Sequence, residues 1–142
     1  MPNQTGLSDE ELISAIRAQY HFRPSPEGLL AWDVRRLVRL SRRLPVQAVP
    51  LSQIAELDSE HWYGHGNIRP TVRSIVEHCQ LMLAVDLAYP IILDSAGRVM
   101  DGMHRVSKAL MQGHTHIDAV QFEQDPAPDH VDCDPDALPY DD

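Results

Sequence analysis

Asp101-Gly102-Met103-His104-Arg105 stands between the apolar run Tyr89-Pro90-Ile91-Ile92-Leu93 and the helix-forming Val106-Ser107-Lys108-Ala109-Leu110-Met111. A short buried strand before it and a helix after it make Gly102 the pivot of a strand-to-helix turn. A glycine at a helix start lets a ligand approach the backbone, where unpaired N–H groups and the positive end of the helix dipole favour a phosphate or carboxylate. His104 and Arg105 add donors at the same place, and a guanidinium offers a planar fork that fits phosphate oxygens. Asp101 is the odd member. A carboxylate beside an anion site is unfavourable unless it holds a metal, takes a proton from a substrate hydroxyl, or fixes the histidine and arginine by hydrogen bonds. The plainer alternative is an ordinary helix start, with Asp101 as cap and Arg105 paired to a nearby acid.

Outward from this stretch, Asp94-Ser95-Ala96-Gly97 reads as a tight turn between the strands Ile91-Ile92-Leu93 and Arg98-Val99-Met100. Downstream, Gly113 ends the helix and Ile117-Asp118-Ala119-Val120-Gln121-Phe122 alternates as a last strand. Upstream, Pro45 and Pro50 bracket a first strand, Val46–Val49, and Leu51 to Leu57 suggests a turn of helix. A longer helix is marked by Pro70 at its entrance, Thr71 as cap, and Val72, Ile75, Val76, Cys79, Met82 and Leu83 at intervals of three and four. Arg73 and Ser74 lie in its first turn, where an arginine opposes the helix dipole unless an anion sits there. The expectation is an α+β domain, a small mixed sheet packed with helices, over residues 45–122.

The order strand, D-G-x-H-R, helix, with Arg69-Pro70-Thr71-Val72-Arg73-Ser74 upstream, resembles the ParB/sulfiredoxin superfamily across roughly Pro45 to Phe122. That resemblance implies a ParB N-terminal-like fold with nucleotide phosphates held by Gly102, Met103, His104 and Arg105, and by Arg69, Thr71, Arg73 and Ser74. ATP or CTP would be the ligand, with Mg²⁺. Met103 stands where the sulfiredoxin branch has its catalytic cysteine, and a thioether supplies no thiolate, so that chemistry is excluded. The partition branch carries G-E-R-R where this chain has Gly102-Met103-His104-Arg105, and no helix-turn-helix pattern like that of the branch's DNA-binding domain is read in these 142 residues, so a partition role is not expected. D-G-x-H-R is closest to the branch resembling free-serine kinases, which implies Asp101 and His104 as catalytic groups, Asp101 as a metal ligand, and Glu56, Asp58 or Glu60 as a second carboxylate. Three functions follow: first a nucleotide-binding regulator, then a Mg²⁺-dependent phosphotransferase on a small hydroxyl metabolite such as a free amino acid, then a nucleic-acid-binding or nuclease module.

The net charge of -9 is local, because eight of the 21 acids lie in Glu123–Asp142 without a Lys or Arg, leaving 13 acids against 12 bases elsewhere. With Pro126, Pro128, Pro135 and Pro139 this tail reads as extended, either a solubilising extension or a cover over an arginine-rich surface, pinned by Leu138 and Tyr140. That surface is expected on the second of two N-terminal helices spanning residues 1–44. The first helix opens on the capping box Ser8-Asp9-Glu10-Glu11 and runs to about Tyr20; the second starts near Pro26 or Glu27 with Leu30, Val34, Leu37 and Leu44 as its stripe. Arg35, Arg36, Arg39, Arg42 and Arg43 read as a solvated face rather than a nucleic-acid contact, given the acidic total. Cys79 falls in the apolar pattern of its helix and is expected in the core, and neither it nor Cys133 suggests a disulfide. The pairs His61/His65 and His114/His116 lack further ligands at metal spacing and read as surface histidines. Trp62 and Tyr63, beside the glycines of the 58–67 loop, either pack on the body or stack on a base. No stretch reaches the ~20 apolar residues of a membrane span and no signal peptide is visible, so a cytoplasmic protein is expected.

Overall fold

The computed structural model describes residues 19–63 and 68–140. The expected capping box at Ser8 and the loop positions Gly64 to Asn67 lie outside them. Four strands form a mixed sheet in the order β3 (Gln47–Pro50), β6 (His116–Gln121), β4 (Ile91–Leu93), β5 (Val99–Asp101). β6 runs antiparallel to β3 and parallel to β4, and β4 and β5 form a hairpin whose turn closes through Gly97 N–H donating to Asp94 O at 2.9 Å. The elements are those expected for residues 45–122, with boundaries displaced by a residue or two. Leu51–Gln53 and Ala55–Asp58 tighten into 3-10 turns.

Alternation along the strands divides the core, since successive side chains leave a sheet on opposite faces. Ile91, Leu93, Val99, Ile117 and Ala119 face one side, where Met103, Val106 and Ala109 of the helix after the motif cover them with Leu51 and Ile54. Ile92, Met100, Val120 and Phe122 face the other, against Trp32 and Leu37. The sheet is therefore the middle of three layers.

The second covering layer corrects the expected start of the second N-terminal helix near Pro26 or Glu27, while the first expected helix lies, up to residue 18, outside the described residues. Tyr20–Ser25 (β1) and Gly28–Asp33 (β2) are an antiparallel hairpin, and the helix α1 begins only at Val34 and ends at Ser41. Asp33 caps it by accepting from Arg35 N–H at 2.9 Å. Leu30, Val34 and Leu37 happen to fall at helical spacing, but Gly28 at φ +103° reverses the chain, and the hydrogen bonds to Tyr20–Ser25 settle the strand.

Residues 123–140 are largely extended, apart from a 3-10 turn at Pro135–Ala137, yet they are packed. Ala31 N–H donates to His130 O at 3.0 Å and Cys133 N–H to Leu29 O at 3.1 Å, so the tail lies along the free edge of β2. Buried Trp32 donates its indole N–H to Pro126 O at 2.8 Å. Arg36 donates to Ala127 O and to Asp129, and Tyr20 OH donates to Pro139 O while its ring meets Tyr140 edge-on. The tail thus covers the edge of β2, and it meets the expected arginine-rich surface through Arg36, with Tyr140 against Tyr20.

Candidate functional site

The motif occupies a junction of two parallel helices. α2 (Val72–Ala84) and α3 (Met103–Met111) run the same way, because His78 in the middle of α2 meets His104 at the start of α3, and Lys108, further along α3, reaches Leu83 O and Val85 O at the end of α2. Both N-termini therefore point the same way, that of α2 lying about 7 Å beyond that of α3, and each presents the positive partial charge of its helix dipole. The opposite end is served by the Lys108 ammonium, which donates to Val85 O at 2.6 Å and so satisfies carbonyls that α2 leaves open.

Gly102 is the N-cap of α3 at φ +111°, and a Cβ there would stand 2.6 Å from Ile91 Cγ2. Only glycine fits this turn. No side chain caps α3, so the leading amides of Met103, His104 and Arg105 are left without a cap acceptor among the described residues. Asp101 was one candidate cap; it pairs with Arg105 instead, Oδ2 accepting from Nη2 at 2.6 Å. Arg105 also donates through Nη1 to Tyr89 O at 3.0 Å and Pro90 O at 2.8 Å. Three of its donors are thus spent on tying the approach to β4 to the motif, and Asp101 serves as the acid that fixes it. Met103 is buried in the core beneath the helix, so only its amide, not its side chain, is placed to meet a ligand.

His104 is engaged differently. Its Nε2 lies 2.8 Å from His78 Nδ1, and Trp62 covers both imidazoles, with ring centroids 4.7 Å from His104 and 4.2 Å from His78 and planes tilted by 15° in each case. Tyr63 meets His78 edge-on and shares a hydrogen bond with Ser74 Oγ at 2.9 Å. Burial pushes the His104 imidazole down to about 4, helped by the neighbouring His78 and His61; burial also lowers His78, against the opposing pull of Glu77. Both rings are neutral at pH 7, so one nitrogen of the pair donates and the other accepts. His78 is the site residue that sequence reading missed. Its place one turn after Ser74, on the face of α2 away from the apolar stripe, was the available signal.

Thr71 caps α2, its Oγ1 accepting from Ser74 N–H at 3.1 Å. Arg69 and Arg73 are exposed beside that end, and no ion-pair partner stands against either among the described residues. The motif, Ser74 and His78 thus meet around Trp62, whereas Glu56 does not join them as a second carboxylate. Its Oε2 accepts from Val99 N–H at 2.6 Å and fixes the returning strand. No group of three or more metal-ligating side chains forms among the described residues, and no helix among them is long and apolar enough to cross a membrane.

The hairpin layer holds a second carboxylate centre that the sequence did not announce. Asp94 is fully buried and accepts from Arg23 Nη2 at 2.6 Å, Arg98 Nε at 2.8 Å, and the amides of Ala96 at 3.0 Å and Arg98 at 2.8 Å. Its acceptor capacity is filled by these four donors, which makes it a joint between the sheet and β1.

Against known proteins, the chain matches no protein-family model, no curated protein and no solved structure.

Proposed function

We propose that this chain is a nucleotide-binding protein of ParB-like organisation, regulatory rather than catalytic, which takes the phosphates of ATP or CTP at the N-terminal ends of α2 and α3. The observation that carries the reading is the uncapped start of α3, which points the same way as the start of α2. Backbone amides at the first, with Arg69 and Arg73 at the second, supply the donors that phosphate oxygens require. When His78 Nδ1 carries the proton, His104 Nε2 accepts it and His104 Nδ1–H is left to serve an anion. The pairing of Asp101 with Arg105 weighs against a free base or Mg²⁺ ligand, and so favours binding over phosphoryl transfer.

Isothermal titration with ATP and CTP, with and without Mg²⁺, tests this directly. Saturable binding of at least one nucleotide is expected, competed by inorganic phosphate and weakened roughly tenfold or more by the double variant Arg69→Ala/Arg73→Ala, whose exposed positions leave the fold intact. Absence of heat for both nucleotides at millimolar concentration overturns the reading.

A further inference from the structure

α2 turns an apolar face to solvent and His78 toward α3. Val72, Ile75, Val76 and Leu83 are 80, 47, 48 and 69 % exposed, and Cys79, expected in the core, is exposed with them. That expectation failed because periodicity shows that a helix has an apolar face but not what covers it. On the side of α3, His78 Nδ1 lies 2.8 Å from His104 Nε2, with ring centroids 5.1 Å apart and planes 21° from parallel. That is about the largest centroid separation such a contact permits, so the imidazoles lie end to end and the shared hydrogen sits close to both ring planes. Trp62 lies flat over both rings and closes one face of the pair. The two outer nitrogens, His104 Nδ1 and His78 Nε2, have no partner among the described residues. A neutral pair carries two hydrogens: one lies between the rings, and the other makes one outer nitrogen a donor while the opposite one stays an acceptor.

We propose that anion binding at the start of α3 is coupled to the uptake of one proton by the pair of His78 and His104, with His78 a positioning residue that acts through His104. This rests on the binding reading above, since an oxyanion held by the leading amides of Met103, His104 and Arg105 lies beside the His104 imidazole. Toward that anion His104 Nδ1 must present its hydrogen. His104 Nε2 then accepts the inner hydrogen from His78 Nδ1, and His78 Nε2 is left as the open acceptor. A proton from water binds there, so both outer nitrogens carry hydrogen and the pair becomes one imidazolium set against the charge of the anion. In the free chain burial holds His104 at about 4 and also lowers His78, so near pH 7 the pair has no charge of its own. Of the groups facing it, Glu77 favours the protonated form and His61 opposes it, Tyr63 meets His78 edge-on, and the Arg105 guanidinium is engaged by Asp101. Arg69 and Arg73 keep their charge throughout and so set the level of binding rather than its slope against pH. Linkage is reciprocal: affinity rises as the pH falls, by at most about tenfold per pH unit, and levels off near 4, where the free pair is already protonated.

Sulfate is the probe, because unlike a nucleotide phosphate it keeps one charge state across this range. Calorimetric titration of the full chain near pH ~6, in two buffers of different ionisation enthalpy, should show uptake approaching one proton per sulfate, with affinity rising roughly tenfold between about pH 7.5 and about pH 5.5. The double variant His78→Gln/His104→Gln keeps polar side chains but has no titrating ring at this place, and its affinity should be flat against pH. Imidazole nitrogen NMR on the unaltered chain locates the proton and keeps the test decisive if the double variant does not fold: sulfate should move the His78 and His104 signals together from the neutral to the charged pattern. Sulfate binding without proton uptake overturns this proposal and leaves the binding reading standing. Absence of sulfate binding overturns it too, and the nucleotide titrations then decide separately whether the binding reading falls with it. Uptake that persists in the double variant, or that the spectra assign to His61, overturns it equally.

Discussion

The two layers flanking the sheet treat their polar groups in opposite ways. On the hairpin side Asp94 has a donor for each lone-pair direction, Arg36 is held by the tail, and the Trp32 indole has its acceptor. On the helical side the first amides of α3 have no cap, Arg69 and Arg73 lack ion pairs among the described residues, and an apolar stripe faces outward. Satisfied groups hold a fold together; groups left open at one end of a helix pair are what a ligand can use. The proposed binding reading rests on this contrast and assumes no catalytic residue.

Substitution at Asp94 should break the contrast most severely. Asp94→Asn removes the buried charge that Arg23 and Arg98 converge upon, and a loss on the order of 3–5 kcal/mol is expected in urea unfolding; a change below about 1 kcal/mol would show that the hairpin side is not held by this joint. Next comes Gly102→Ala, for which the clash with Ile91 and the left-handed φ together cost ~2–4 kcal/mol. Gly97→Ala is the control: its φ is +84° but its nearest neighbour is 3.9 Å away, so it should cost only about 1 kcal/mol. Equal losses at the two glycines would deny the close approach at the motif.

The smallest effect is in pH. Burial holds His21, on the hairpin side, and His104, on the helical side, at about 4, below the usual 6.5. A depressed histidine binds fewer protons folded than unfolded, so its contribution is present above pH 6.5 and is lost as the pH falls toward 4. Each should cost on the order of 1–2 kcal/mol across that window once solvent screening is allowed for. His21→Gln and His104→Gln should each flatten the acid limb of stability measured against pH. Unchanged slopes in both would remove the histidines as its cause.

Residues 45–122 were largely legible because their elements announce themselves locally: prolines bracket β3, Asp94 to Gly97 turn the hairpin, Thr71 caps α2, and Gly113 ends α3. The motif was legible as a helix start for the same reason. What escaped were partners set by tertiary approach. Leu30 fits a helical spacing with Val34 and Leu37 until β1 and the tail claim the backbone of its strand. Arg105, expected on a phosphate, is drawn back by carbonyls of Tyr89 and Pro90 that no pattern places beside it. His78 joins His104 from 26 residues away, a pairing that appears only once the two helices lie in parallel.

The tail along β2 also bears on how the chain emerges during synthesis. The β1–β2 hairpin can form early, being local, but the edge of β2 and the Trp32 indole await residues 126–133, roughly a hundred positions later. Until those residues clear the ribosome the nascent hairpin presents an open edge to its surroundings, so synthesis of residues 126–133, rather than of the hairpin itself, sets when this layer can close.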